Sequence, residues 1–257
     1  MGSIPTWFAD AWRRSERLIH LAVVPLVTAL LAFEKVQQAL SVAGPGRFHA
    51  GVAIRFPAVV VDLWSFVSLP SVGPGVRVTS PLWLLPIIFV VHSVLAAGYL
   101  GSISDGLDDG RYDFAAAVER YFVRLVAYNA LVWTVVFAAV VLGVLTGPLV
   151  LLLFPLFLLL NYLFFATPYL IVARDTSVVA ALRESYARAV DGGPYFEFAL
   201  QYLAAVLVLS IPTTLMAVNA GPVGILVAAA VTARVGLAFS TGVMRFVHQR
   251  TRGPRSD

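Results

Sequence analysis

Three side chains able to bind or polarise a ligand sit at matching places in three apolar stretches: His92, Asn161 and Arg234. His92 lies 13 residues before Asp105, Asn161 lies 14 before Asp175, and Arg234 lies 11 before Arg245. At 1.5 Å of helical rise per residue those spacings give similar depths. Arg234 is the only obligatory charge deep inside any long apolar run; the other seventeen Lys and Arg residues lie outside the runs or at their ends. A guanidinium at the centre of a bilayer costs at least a few kcal/mol, so it must face the protein interior or a water-filled cavity. No Asp or Glu lies at its depth. The acceptors on offer are Asn161, the hydroxyls of Ser210, Thr213 and Thr232, and carbonyls freed beside Pro212. Gln201 and Glu197 follow toward the inner face. One reading is a midplane site that binds or transports an anion or a lipid headgroup. The other is an arginine that ties helices together through backbone carbonyls. His92 and Asn161, taken singly, more commonly bond across helices.

Other chemistries find less support. Cysteine is absent, which removes disulfides, thiolate metal sites and a cysteine nucleophile. The four histidines (His20, His49, His92, His248) have no ligand spacing. No nucleotide-binding loop, H-E-x-x-H or G-x-S-x-G occurs. Asp105, Asp108, Asp109 and Asp113 have a spacing that can hold a divalent ion, as in enzymes acting on phospholipids. Without partner motifs they read as a solvated turn ahead of a helix capped by Asp113. The expectation is a protein that is not an enzyme and has neither cofactor nor metal.

The elements that must position these residues are set by composition. The 257-residue chain is 60% hydrophobic and only 12% charged, against about 25% charged in an ordinary soluble domain. Its mean hydropathy is +0.87. Lipid must therefore be its solvent. Six runs are expected to span as helices: 18–33, 81–103, 125–146, 149–173, 195–218 and 223–244. Segment 57–70 is too short to span, carries Asp62 and is bracketed by prolines; it reads as an interfacial or re-entrant helix within an outer loop, 34–80. With the N-terminus inside, thirteen arginines fall on inner segments, against Lys35, Arg47, Arg55 and Arg77 outside. The positive-inside rule then puts both termini in the cytoplasm and the protein in the cell membrane. The N-terminal segment reads as uncleaved. The net charge of +4 is carried by seventeen Arg and one Lys, and is read as genome composition and not as nucleic-acid binding.

An internal pattern accompanies the spans. Amphipathic inner stretches, Ile4–Arg17, Asp113–Arg124 and Thr176–Asp191, each lead into an outward span. They read as elbow helices lying on the inner interface, arginines toward anionic headgroups. The implied fold is an all-α bundle of three hairpins, and repeats of this kind place sites at midplane. A scaffold that uses the elbows and the basic tail, 245–257, to bind anionic lipid, a protein partner or a second copy is the alternative to an Arg234 site.

The stretch Phe164-Phe165-Ala166-Thr167-Pro168-Tyr169-Leu170-Ile171-Val172-Ala173-Arg174-Asp175, followed by Ser177-Val178-Val179-Ala180-Ala181-Leu182-Arg183-Glu184-Ser185, resembles an uncharacterised group of prokaryotic, often haloarchaeal, six-helix membrane proteins. It is also similar to the membrane domain fused to some bacterial glycerophosphodiester phosphodiesterases. The likeness covers residues 80–245 and leaves out the long outer loop. It implies a helical membrane domain with amphipathic inner connectors. No catalytic residue carries over, because that chemistry belongs to a soluble domain.

Overall fold

A computed structural model describes residues 6–41, 48–70, 83–108, 110–146 and 150–249. The described residues form helices and no strands. In order they are α1 (Thr6–Ser15), a 3-10 stretch (Glu16–Ala22), α2 (Val23–Leu31), α3 (Phe33–Leu40), a 3-10 turn (Leu63–Ser65), α4 (Leu84–Asp108), α5 (Phe114–Thr146), α6 (Val150–Phe164), α7 (Thr167–Ala173), α8 (Val178–Asp191), α9 (Pro194–Asn219) and α10 (Gly221–Gln249). Five helices among the described residues are long and apolar enough to cross a membrane. The bent pair Trp7–Leu31 and Phe33–Leu40, at 64° to each other, makes a sixth if counted as one span. The chain is a multi-pass membrane protein. Large side chains such as Trp133, Phe137, Leu145 and Val208 are exposed around the bundle, as lipid-facing residues must be.

The second inner stretch is not a separate elbow. Asp113 caps α5 through Oδ1, which accepts from the backbone N–H of Ala115 and Ala116 at 2.9 and 3.1 Å. From there one helix runs unbroken to Thr146. No glycine or proline occurs between 114 and 142 to stop it. The third stretch is a helix of its own, α8, capped by the Ser177 hydroxyl and ended at Gly192, whose φ is 64°. The first, α1, lies on α10. Its Trp7 ring packs between Phe198, Tyr202 and Phe239, in the space left by the absent side chain of Gly242. Close packing of α4 on α5 rests on Gly98 and Gly101, where a Cβ would overlap Phe114 and Ala117. Arg250, Arg252 and Arg255 of the basic tail lie outside the described residues.

Segment 57–70 is not the expected helix. Apart from the 3-10 turn it is irregular, because Pro57 and Pro70 bracket it and Asp62 turns its carboxylate back on the backbone N–H of Trp64. It is nevertheless buried: Val60, Val61, Leu63, Trp64, Phe66 and Val67 are core residues. The whole stretch 48–70 threads into the bundle beside α9 and α10. His49 N–H donates to Asn219 Oδ1 at 2.8 Å, Ala53 N–H to Ser210 Oγ at 2.7 Å, and Ser68 N–H to Thr214 Oγ1 at 2.9 Å. Tyr169 donates its hydroxyl to the Ala58 carbonyl at 2.8 Å, and Trp64 Nε1–H donates to the Ala29 carbonyl at 2.7 Å. Non-helical backbone inside an apolar bundle persists only where its polar groups find such partners. Ser210 lies nine residues from the α9 end, roughly 13 Å along the helix. Gly236, fifteen residues into α10, admits the Val61 carbonyl against its backbone; that is roughly 22 Å from the same end, against an apolar bilayer thickness of about 30 Å.

Ser210→Ala strips the buried Ala53 N–H of its acceptor. It is expected to cost about 1–3 kcal/mol, read as a lower unfolding temperature in detergent with the helical content of the folded state unchanged.

Candidate functional site

The inserted segment forms one wall of a cavity. Phe56 anchors it, stacking on Phe165 at 6.1 Å and meeting Tyr162 at 5.9 Å. Between residues 57–59, α5 and α6 lies a space of about 460 Å³, lined by Tyr128, Asn129, Val132, Phe157, Asn161 and Phe165 among others. This is the size of an ordinary small-ligand site. Its rim residues Leu131, Val132, Val135 and Phe157 are exposed on the apolar side of the bundle. An adjoining space of about 370 Å³ shares Pro57, Ala58, Phe157 and Asn161 and adds Ile54, Arg55 and Leu158. The two spaces therefore meet at Asn161, and the second differs from the first chiefly in holding Arg55. Its Nδ2 donates to the Phe157 carbonyl at 2.8 Å, and its Oδ1 has no protein partner among the described residues. Asn129 donates to Ser93 Oγ at 3.0 Å, which fixes α5 to α4 at the cavity wall.

Arg55 introduces charge. It is exposed into the second space and makes no hydrogen bond or ion pair within 4 Å among the described residues. Its guanidinium acts electrostatically on Asp62, as does the ammonium of Lys35. Lys35 also feels Arg55, and His92 feels Lys35. The Asp62 carboxylate accepts from Trp64 N–H at 3.0 Å, and Ser65 N–H donates to the Asp62 backbone carbonyl at 3.0 Å. Two cations thus share one carboxylate, and neither closes an ion pair with it. In the sequence, Lys35 and Arg55 read as outer-loop residues. They enter this cluster because an inserted, irregular segment carries Arg55 and Asp62 inward. Apolar-run counting does not register such a segment; its only signal is the proline-bracketed stretch around Asp62.

The expected layer of His92, Asn161 and Arg234 is not assembled into one site. Arg234 Nη1 donates to Ser15 Oγ at 2.6 Å, and Nη2 donates to the Trp12 carbonyl at 3.3 Å. Its guanidinium carbon stands 4.4 Å over the Trp12 ring, and Glu16 acts on it electrostatically. The Trp12 carbonyl also accepts from Ser15 Oγ at 2.8 Å, so the arginine joins a small hydrogen-bonded network at the end of α1. Thr213 donates to the Leu209 carbonyl of its own helix at 2.7 Å. Gln201 donates to Glu197 at 3.1 Å on the outward face of α9. Of the six sequence candidates, Asn161 lines the cavity and His92 lines neither space.

At the opposite end of the bundle several charges are paired. Asp175 binds Arg120 at 2.8 Å and also Arg124, and these two guanidinium groups hold its carboxyl below the usual carboxylate range. Glu184 bridges Arg174 and Arg188, and Asp10 meets Arg245. Ser104, His248 and Asp108 line up, with Ser104 Oγ 3.2 Å from His248 Nε2 and His248 Nδ1 3.6 Å from Asp108. That order resembles a hydrolytic triad, but Ser104 and Asp108 both lie in the last two turns of α4. A helix C-terminus presents carbonyls where an oxyanion needs N–H donors. The three residues therefore join α4 to α10. No group of three or more metal-ligating side chains occurs among the described residues. Asp113 of the acidic stretch serves as a cap, and Asp109 lies outside the described residues. No protein-family model matches the chain, and comparison with curated proteins and with solved structures finds no significant similarity.

Proposed function

We propose that this multi-pass protein binds a membrane lipid with an anionic headgroup in the cavity between α5, α6 and residues 54–59. The chain spans the cell membrane six times as three hairpins, α1–α3 counting as the first span. Both termini are cytoplasmic, and residues 48–70 re-enter from the outer side. The observation that carries this reading is the joined pair of spaces: an apolar one whose rim opens on the lipid-facing side, and a smaller one holding Arg55 without a counter-ion in ion-pair range among the described residues. An acyl chain fits the first by burial of apolar surface. A phosphate fits the second by charge-assisted hydrogen bonds to a guanidinium. Asn161, at the junction, offers its free carbonyl oxygen to a glycerol hydroxyl.

The test is native mass spectrometry of the full chain extracted in mild detergent. One retained lipid per chain is expected. Val132→Trp, which fills the apolar space from a lipid-facing position, is expected to abolish retention. Equal retention by wild type and V132W would dismiss the cavity as the site.

A further inference from the structure

We infer that the inserted segment lines a hydrated furrow along which lipid headgroups cross the bilayer, so that the protein passively exchanges phospholipid between the two leaflets. The inference rests on the lipid-binding reading above and adds what the site does with its lipid. Its origin is the backbone of residues 50–56, which is neither helix nor strand. Among the described residues, the only backbone group of that stretch with a hydrogen-bond partner is the Ala53 N–H, on Ser210 Oγ at 2.7 Å. The stretch is nevertheless fixed at both ends inside the bundle. His49 N–H donates to Asn219 Oδ1, and Asn219 Nδ2 to the His49 carbonyl, both at 2.8 Å. The Ala58 carbonyl accepts from Tyr169 of α7 at 2.8 Å. Between these anchors, Ala53 meets α9 nine residues from its Asn219 end, roughly 13 Å along the helix. The unbonded groups therefore lie where α9, one of the five candidate spans, is crossing the membrane.

Irregular backbone at such a depth persists only where protein supplies its partners or water does. Protein partners are missing here, and the stretch is open to its surroundings: Val52 and Ile54 are each 49% exposed. Water must reach it. Two sides are closed. On one, α9 holds Ala53; on another, the returning limb packs in, with His49 Nε2 2.9 Å from the Ser68 carbonyl and Ser68 Oγ where a Cβ on Gly51 would sit. The side toward α6 is open, as the space of about 370 Å³ lined by Ile54, Arg55, Leu158 and Asn161. At Asn161 it joins the larger space, which continues to Leu182 of α8, the helix bearing the Glu184–Arg188 pair. With residues 50–53 leading up to Asn219, the line connects one end of the bundle to the other.

The shape of this path selects its traveller. An ion needs a path ringed by protein, whereas this one is open along its side, where the rim residues Leu131, Val132 and Phe157 are exposed. A headgroup can move through the furrow while its acyl chains stay in the bilayer, so no apolar surface is given up to water. The unbonded N–H groups of residues 50–56, with Arg55 and Asn161, replace the hydration of a phosphate on the way.

Two measurements on the full chain in proteoliposomes test this. The first looks for the water. The chain has no cysteine, so Ile54→Cys and Val208→Cys each carry a single thiol. Val208 is 70% exposed and two residues from Ser210, so it shares the depth of Ile54 but sits on helical backbone. A membrane-impermeant maleimide is expected to label I54C and to leave V208C unlabelled. Protection of I54C equal to that of V208C, or equal labelling of both, would overturn the furrow. The second follows the lipid. Vesicles of phosphatidylcholine and phosphatidylglycerol carry a trace of fluorescent NBD-phospholipid, and dithionite added outside bleaches only the outer leaflet when protein is absent. Wild type is expected to let bleaching run on into the inner-leaflet label. Leu158→Trp fills the second space, which Leu158 lines without lining the first. It is expected to stop the exchange while still retaining lipid by native mass spectrometry, which also reports that it has folded. V132W is expected to lose both. Bleaching by wild type that ends with the outer leaflet, or exchange by L158W at the wild-type rate, would overturn the inference and leave lipid binding in the cavity standing. Equal lipid retention by wild type and V132W would remove the cavity and the inference with it. Collapse of an imposed potassium gradient without lipid exchange would identify an ion path and overturn the assignment to lipid.

Discussion

Gly236→Ala is expected to be the most damaging methyl addition among the described glycines. The new Cβ would overlap the carbonyl oxygen of Val61, a rigid backbone atom and not the end of a movable side chain. Either α10 or the inserted segment must shift. Overpacking of this kind costs about 1–3 kcal/mol or more. At the sensitivity of a chain this size, that lowers the unfolding temperature by roughly 3–10 °C. The consequence should spread along the segment. Val61 leads directly into Asp62 and the turn carrying Trp64, and the same segment holds Arg55 against Asn161. G236A is therefore expected to lose lipid retention as well as stability. Combined with Val61→Cys, it is expected to let a water-soluble maleimide label the new thiol, which Val61→Cys alone keeps buried. Val231→Ala, on the exposed face of the same helix, serves as the control and should change neither property. Wild-type stability in G236A, with no labelling at position 61 in the double variant, would mean that the segment does not lie against α10.

Arg234→Leu is expected to loosen α1 without touching the lipid. The substitution removes two charge-assisted hydrogen bonds, to Ser15 Oγ and the Trp12 carbonyl, and the stacking on Trp12. Together these amount to about 2–4 kcal/mol. The loss should appear as faster hydrogen exchange over residues 6–15 and as a change in Trp12 fluorescence. Arg234→Lys keeps the charge but not the fork that reaches two acceptors at once, so it should rescue only in part. Lipid retention in the cavity beside Asn161 should be unaltered. Loss of anionic lipid in R234L, with residues 6–15 still protected, would return the anion site to Arg234. The two variants thus separate the two roles a deep arginine can take: a ligand-binding cation, or a tie to the end of a neighbouring helix.

The contrast between Arg234 and Arg55 shows where legibility ended. Arg234 stands out in the sequence because apolar residues surround it in an uninterrupted helix. Its partners do not, since Ser15 and Trp12 lie 219 and 222 residues away. Arg55 looks unremarkable because its neighbours Pro57 and Asp62 mark a loop, and loops are ordinarily solvated. What brings it to the cavity is tertiary: Ser210, Thr214 and Asn219 of α9 supply the hydrogen bonds that a loop would otherwise take from water. Those hydroxyls and that amide are legible only as scattered polar residues on an apolar helix. Asn161 is visible as a polar break in α6, but its cavity depends on how α5, α6 and the segment meet.

By itself the sequence determined the solvent and the material of this protein. Apolar runs of membrane length have no stable state other than helices in lipid, and the local breakers Gly192 and Gly221 mark where α8 stops and α10 starts. Those consequences follow from hydropathy and backbone sterics acting within a few residues. The tertiary structure alone decided which charges are deep, which are paired and where a cavity opens. Those depend on contacts between residues far apart in sequence, above all the fit of the Val61 carbonyl against Gly236. No short-range pattern encodes that fit, because a glycine leaves no side chain to announce what it makes room for.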